Sequence, residues 1–536
     1  MKKQISKIIA MVLIFIMSVI TFAGCSDTKN DNKQNGTNAA VKADGSYDVS
    51  KLKPVKASYV KKQNGRQVIY HNGSPYLYYA MHLRIDHLRS SLGDEEIARK
   101  MFDTYAKQLK EDGWDTMIVY LSWRRIYDGK KYDFTDLEFQ YEVAKKYDLK
   151  VHINWFGYDV CGFGGYMPWQ KDNLEKYPPL AGMDGSPLIN ANNEYIPDYS
   201  QQIFLDESYD AIQQVCAWLN VNDTDRRTVA IQLENEPGNS EGGNGLWMSQ
   251  FSNMVNHLNN LGKAVKESSY SMVTYLNLMA AGWGETVEGY DLEGRIHRLI
   301  DQQYIDIVGW DLYTNQTAPR DKNIEYGNNL PVFAEMGICA YSVPGQINYC
   351  FNNGYGMGFY MFINIPDPTS NNGFYRYSTM LTGAEKRDGT QIIPVNPIDT
   401  MGGKEELKTD EVIAMNQSIR ALRELIATQK TTNIAVFNNN MKNVINAGKL
   451  CNKERITYIC NRPNEKYGSS GLAIGAEDGN FYVYSSQDAE YKFTSNIKEV
   501  TAGSYKDGVW TATETVNVKN NTFSAKSGLA YRVVIG

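Results

Sequence analysis

Apolar residues along the chain follow two alternating rhythms. Short β-branched and aromatic runs, among them Thr116–Leu121, Val151–Phe156, Thr228–Leu233, Met272–Leu278, Ile305–Leu312, Val332–Glu335 and Gly358–Asn364, predict buried strands. Between them, longer stretches repeat apolar residues every three or four positions. Ile97, Met101, Tyr105 and Leu109 predict one helix face over 94–112, and residues 139–147, 209–220, 248–268 and 410–428 read the same way. Near the start, runs at 68–70 and 76–79 straddle Asn72-Gly73, a hairpin turn. Strands alternating with helices predict β-α units on a parallel sheet, and eight such units fit residues 56–430, the size of a (β/α)8 barrel with long loops. From Asn433 the rhythm changes. Ile456–Ile459, Phe481–Tyr484 and Leu529–Ile535 are separated by Gly, Asn and Asp turns, which predicts an antiparallel β-sandwich over 431–536. The expected fold class is therefore α/β, a TIM barrel followed by a C-terminal sandwich, with the sandwich aromatics packing against the barrel.

The first residues follow neither rhythm. Lys2, Lys3 and Lys7 precede an apolar run from Ile8 to Ile20, shorter than the roughly 20 residues of a membrane span and suited to a signal-peptide core. The run closes on Thr21-Phe22-Ala23-Gly24-Cys25. This resembles a bacterial lipoprotein signal, in which the cysteine is lipidated and becomes the first mature residue; Phe22 stands where an aliphatic is usual. Residues 1–25 are thus expected to be a signal with Cys25 as lipidation site. Residues 26–55, polar with little to bury, are expected to form a flexible tether that leaves the body at the cell surface, held to the membrane by the lipid.

Composition narrows the chemistry. The chain has 536 residues, 42% hydrophobic and 22% charged, enough apolar material for a large core. Lys+Arg 55 against Asp+Glu 61 leaves a net charge of -6 and no basic footprint, so no nucleic-acid partner is expected. Seven cysteines and 6 histidines are scattered without a C-x-x-C pair or ligand spacing, so neither metal nor cofactor is expected. Cys451 and Cys460 suit either a hairpin disulfide or two buried thiols.

The strand Thr228–Leu233 runs directly into Glu234-Asn235-Glu236-Pro237-Gly238, and the strand at 331–334 ends in Glu335. In a (β/α)8 barrel the C-terminal strand ends carry the chemistry. The two acids are about three β-α units apart, so they face each other across the barrel mouth. Such a pair, one carboxyl protonated and one ionised, suffices to hydrolyse a glycosidic bond without a cofactor. Glu236 and Glu335 are the catalytic candidates.

At these residues the chain resembles the clan A retaining glycoside hydrolases, whose acid/base follows an Asn at the end of the fourth strand and whose nucleophile ends the seventh. The resemblance is nearest to the β-galactosidase-like proteins of glycoside hydrolase family 35. Gln232-Leu233-Glu234-Asn235-Glu236-Pro237-Gly238 is similar to that group's signature, as are Val119-Tyr120-Leu121-Ser122-Trp123 and Asn154-Trp155-Phe156-Gly157. The resemblance implies that Asn235 holds the sugar 2-hydroxyl and that Tyr313 hydrogen-bonds the nucleophile. Trp123, Tyr120, Asn154, Trp310 and His82, at or near strand ends, are further candidates for substrate binding. The chain departs from the family after Trp123, where Arg124-Arg125-Ile126-Tyr127-Asp128 replaces an acidic, Pro-containing stretch, and at Gly162-Phe163, where the family carries a sugar-gripping Ala-Glu. The implied activity is a retaining, exo-acting β-glycosidase, β-galactosidase-like, that removes a terminal hexose from an oligosaccharide or polysaccharide. Endo-glycanase action on a β-mannan or β-glucan, and glycan binding without cleavage, are the competing readings.

Overall fold

The computed structural model describes residues 41–160, 165–182, 184–190, 193–237, 246–279, 292–312, 325–336, 343–359, 384–385, 392–393, 409–439, 446–460 and 469–536. Cys25 with its signal segment, Gly162, Phe163 and Tyr313 lie outside the described residues.

Eight parallel strands close into a barrel: β1 Tyr79–Leu83, β2 Thr116–Ser122, β3 Lys150–Val160, β4 Thr228–Asn235, β5 Val273–Met279, β6 Ile307–Leu312, β7 Val332–Met336 and β8 Gly356–Phe359. β8 pairs with β1, which completes the ring. The fold is thus a TIM barrel. A three-stranded antiparallel sheet precedes it, and the Asn72-Gly73 turn lies between Arg66–His71 and Ser74–Tyr76. The helix Glu95–Glu111 shows how sequence makes the outer layer. Asp94 caps it by accepting from Ile97 N at 2.9 Å, Glu95 and Glu96 complement its dipole, and Ala98, Met101, Phe102, Tyr105, Ala106 and Leu109 form its buried face.

Alternation sorts the barrel side chains into two layers. Ala230, Val273, Tyr275, Ile307, Val332 and Ala334 pack together inside, whereas Ile231, Leu233, Leu276, Val308, Trp310 and Phe333 join the large cluster under the helices. The interior also holds polar groups in mutual hydrogen bonds: Tyr76 Oη pairs with His152 Nε2 at 2.9 Å, and Tyr275 Oη donates to Asn154 Oδ1 at 2.8 Å.

The C-terminal unit is a sandwich of a six-stranded and a four-stranded antiparallel sheet around its own core, which includes Phe437, Tyr458, Val483, Tyr491 and Phe523. Its Tyr484 is buried and donates to Asn348 Oδ1 at 2.5 Å, on the helix Val343–Asn353 of the barrel. The helix Thr409–Thr428 joins both units, with Asn416 accepting from Tyr79 Oη at 2.6 Å and Ser418 Oγ donating to Leu529 O at 3.2 Å. The Tyr484 and Tyr79 bonds are buried and the Ser418 bond is partly so, and at this junction the sandwich packs against the barrel. Cys451 and Cys460 are buried free thiols, and burial pushes the Cys451 thiol up to about 12.

Candidate active site

Two strands lose their regularity where they reach the mouth. On β4, Gln232 is followed by Glu234 at φ 61° and Glu236 at φ 48°, left-handed conformations that L side chains seldom adopt. By alternation Glu234 belongs with Ala230 and Gln232 inside. Instead its carboxylate accepts from Gly157 N at 2.9 Å and Tyr158 N at 3.2 Å on β3, and meets His257 Nε2 of the helix Leu246–Lys266 at 3.1 Å. A Cβ on Gly157 would stand 2.6 Å from Glu234 Oε1, so only glycine admits this approach. Glu236 is left beyond the strand, 4% exposed.

On β7 the register against β6 shifts, with Trp310 opposite Phe333 but Asp311 opposite Glu335, and a second irregularity falls between Phe333 and Met336 against β8. Met336 consequently joins the outer cluster, although strict alternation from Val332 and Ala334 assigns it to the inside. The bulge turns Glu335 the other way, into the barrel. His82 on β1 braces this point by donating from Nε2 to Ala334 O at 3.0 Å.

The result is a compact acidic group. Glu236, Asp311 and Glu335 are all buried, and one carboxylate oxygen from each lies within 4.8 Å of the others. Asn277 on β5 ties them together. Its Oδ1 accepts from Glu236 N at 3.0 Å, and its Nδ2 lies 3.0 Å from Asp311 Oδ2, 3.1 Å from Asn235 Oδ1 and 3.4 Å from Glu335 Oε1. Asn235 Oδ1 also accepts from Gln232 Nε2 at 3.1 Å, so both of these bonds use its oxygen. Burial, then the nearby Glu335 and Glu236 charges, raise the Asp311 carboxyl well above the usual carboxylate range. Three carboxylates at this spacing also have the separation of cation ligands, but the Asn277 amide directs an N–H into the same space, which serves carboxyl oxygens as acceptors and offers a cation nothing.

The other expected contacts are placed variously. Tyr120 is half-buried at the mouth, its ring edge-on to Phe156 at 4.7 Å. The Arg84 guanidinium lies 4.9 Å from the Tyr120 ring and 4.5 Å from the Phe156 ring while paired with Asp86 at 2.5 Å. Three expected wall residues lie elsewhere than a substrate wall. Trp310 follows Val308 onto the outer face of β6 and is packed under the helices, the inward position passing to Asp311. Trp123 is 1% exposed and sits among Trp155, Tyr158 and Trp169. Asn154 faces inward but bonds Tyr275, one layer beneath Asn277.

Sequence reasoning missed Asp311, Asn277 and Glu234. Asp311 and Asn277 sit on apolar strands among residues that read as core, and only strand parity marks them as inward. Glu234 was visible as an acid, but nothing in the pattern separates its role from that of Glu236.

No protein-family model and no curated protein matches the chain. Among solved structures it is similar to a β-1,4-D-mannanase from Cryptopygus antarcticus, with 12% identity, TM-score 0.38, 65% of this chain and 98% of that one covered. It is also similar to a glycoside hydrolase family 5 mannosidase from Rhizomucor miehei, with 15% identity, TM-score 0.36 and coverage of 57% and 85%. A maltogenic α-amylase from Thermotoga neapolitana aligns with 9% identity, TM-score 0.40 and coverage of 85% and 98%. The barrel assignment stands on the strand pairing itself.

Proposed function

We propose that the protein is a retaining β-glycosidase in which Glu236 is the acid/base and Glu335 the nucleophile. The observation that carries the reading is the meeting of these two buried carboxyls at the ends of β4 and β7, with oxygens within 4.8 Å. Retaining enzymes hold their carboxyls about 5–5.5 Å apart, whereas inverting ones leave a wider gap for water. In the first step Glu335 attacks the anomeric carbon while Glu236 protonates the departing oxygen. In the second, Glu236 takes a proton from water, which displaces Glu335 from the glycosyl-enzyme. Asn235, whose oxygen is already engaged, keeps its amide N–H groups for a sugar hydroxyl.

The resemblance to the family 35 proteins favours exo action on a terminal hexose, and the departures at Arg124–Asp128 and Gly162-Phe163 leave the hexose open between galactose and its epimers. The same reading has the enzyme exported and held at the cell surface by lipid on Cys25, which incorporation of labelled palmitate, abolished in Cys25→Ser, tests.

The decisive experiment offers aryl β-glycosides of galactose, glucose and mannose and follows the first-formed anomer by NMR. Release with retained configuration from at least one is expected, with Glu236→Gln losing roughly 10²–10⁴-fold on substrates with poor leaving groups. Inverted product, or unchanged turnover in Glu236→Gln, overturns the reading.

A further inference from the structure

Asp311 is not needed for double displacement, yet one of its carboxylate oxygens lies within 4.8 Å of an oxygen of each member of the pair. It is 1% exposed, and its Oδ2 accepts from Asn277 Nδ2. Its Oδ1 is buried with no N–H or O–H donor directed to it among the described residues. The Asp311 carboxyl as a group meets the Glu236 carboxyl, another acceptor. Two carboxylate oxygens at such range repel unless a proton lies between them, and an unsatisfied buried oxygen costs roughly 1–3 kcal/mol.

We propose that Asp311 holds a proton on Oδ1 and shares it with Glu236, as a positioning and proton-storing residue for the acid/base group. The inference rests on the glycosidase reading for its consequence, though not for the proton itself. Among the described residues, the titratable groups facing Asp311 are Glu236 at the end of β4, Glu335 on β7, Tyr275 on β5 and Tyr78 just before β1, none of them a cation. Burial and these carboxylates make the acid form the stable one, the direction in which the Asp311 carboxyl is displaced.

The charge balance accommodates a third carboxyl. At rest, three carboxyls and one proton carry two negative charges. When the proton passes to the departing oxygen, the bond between Glu335 and the anomeric carbon forms, so Glu335 becomes a neutral ester while Asp311 and Glu236 are both ionised. The total stays at two. Water then supplies a proton to the Asp311–Glu236 pair and its hydroxyl to the sugar, and Glu335 leaves as a carboxylate. The net charge of the buried cluster is constant through both steps, as it is for the pair alone, and Asp311 adds a second oxygen that holds the proton beside Glu236.

The test is infrared difference spectroscopy of the full-length protein labelled with ¹³C-carboxyl aspartate, at about pH 9, where an ordinary Asp is ionised. A protonated Asp carboxyl band is expected in the wild type, absent in Asp311→Asn, and displaced in frequency in Glu236→Gln, where its acceptor becomes an amide. No such band in the wild type, or one that survives in Asp311→Asn, overturns the proposal; the wild-type measurement does so even where a variant fails to fold. In kinetics, Asp311→Asn removes the second developing charge beside Glu236, so the basic limb of kcat/KM on aryl β-glycosides moves to lower pH by about one unit or more. An unmoved limb refutes proton sharing. The band without hydrolysis of any glycoside sinks the glycosidase reading and leaves the proton assignment standing; hydrolysis without the band does the reverse.

Discussion

Glu234 and Glu236 are two residues apart, both at positive φ, and serve opposite sides of the barrel wall: Glu234 receives the β3 amides of Gly157 and Tyr158 and faces His257 of the helical layer, while Glu236 meets Asp311 at the mouth. The first acid holds the backbone that aims the second. Two charge-assisted amide bonds outweigh the cost of an unusual dihedral, of order 1–3 kcal/mol.

Glu234→Gln is therefore expected to be a positional lesion. The amide keeps one acceptor oxygen but puts an NH₂ against backbone N–H groups, so stability falls by about 1–3 kcal/mol in urea unfolding. kcat falls more than KM rises, because the acid/base group is misaimed. A variant as stable and active as the parent rejects this account.

Asn277 makes the second test. Asn277→Ala strips the partner from the buried Glu236 N–H and the donor from Asp311 and Asn235, and kcat/KM is expected to fall about 10²-fold or more. Asn277→Asp keeps the shape but adds an acid to three others, so its loss is steep at neutral pH and eases as the pH is lowered. Parallel pH profiles for the two variants would contradict the role given to the amide.

The barrel was legible because its information is local. Runs such as Thr228–Leu233 and the helix-spaced Ile97, Met101, Tyr105 and Leu109 report burial directly, and the strand ends at Glu236 and Glu335 follow from them. What turns each acid inward or outward was not legible. Glu335 faces inward only because a bulge interrupts β7, Glu234 faces outward only because its φ is left-handed, and Asp311 displaces Trp310 from the interior by the parity of one strand. None of these depends on residue type alone. Each is set by how neighbouring strands pair, which the linear pattern does not contain.

The barrel floor supplies a pH test. His152 and His71 are buried, and burial pushes them down from 6.5 to about 3 and about 4 respectively. His152 Nε2 pairs with Tyr76 Oη and His71 donates to Arg226 O, and burial favours the neutral form of both rings. Because the folded values lie below the unfolded ones, this contribution is complete above about pH 6.5 and is lost as the pH falls through about 4 and then 3. Unfolding free energy is expected to drop between neutrality and pH 4, by an upper limit on the order of 3 kcal/mol per histidine. His152→Gln should flatten that slope; an unchanged slope argues that carboxylates alone carry it.

Asp112 gives the opposite sign. It follows the last turn of the helix Glu95–Glu111, where the macrodipole is negative, and accepts from Gln108 Nε2 at 3.0 Å. Burial, with Glu111 adding repulsion, pushes its carboxyl from 3.8 up to about 7. The folded value exceeds the unfolded one, so between those limits the folded state holds a proton that the unfolded chain has released, and stability declines as the pH rises across that window. Asp112→Asn keeps the acceptor for Gln108 and removes the charge. It is expected to raise unfolding free energy at about pH 8 by roughly 1–3 kcal/mol and to change little near pH 4, where the native side chain is already neutral. Equal effects at the two pH values, or a loss at the higher one, would show that the carboxylate is solvated or paired, contrary to its 4% exposure at the helix end.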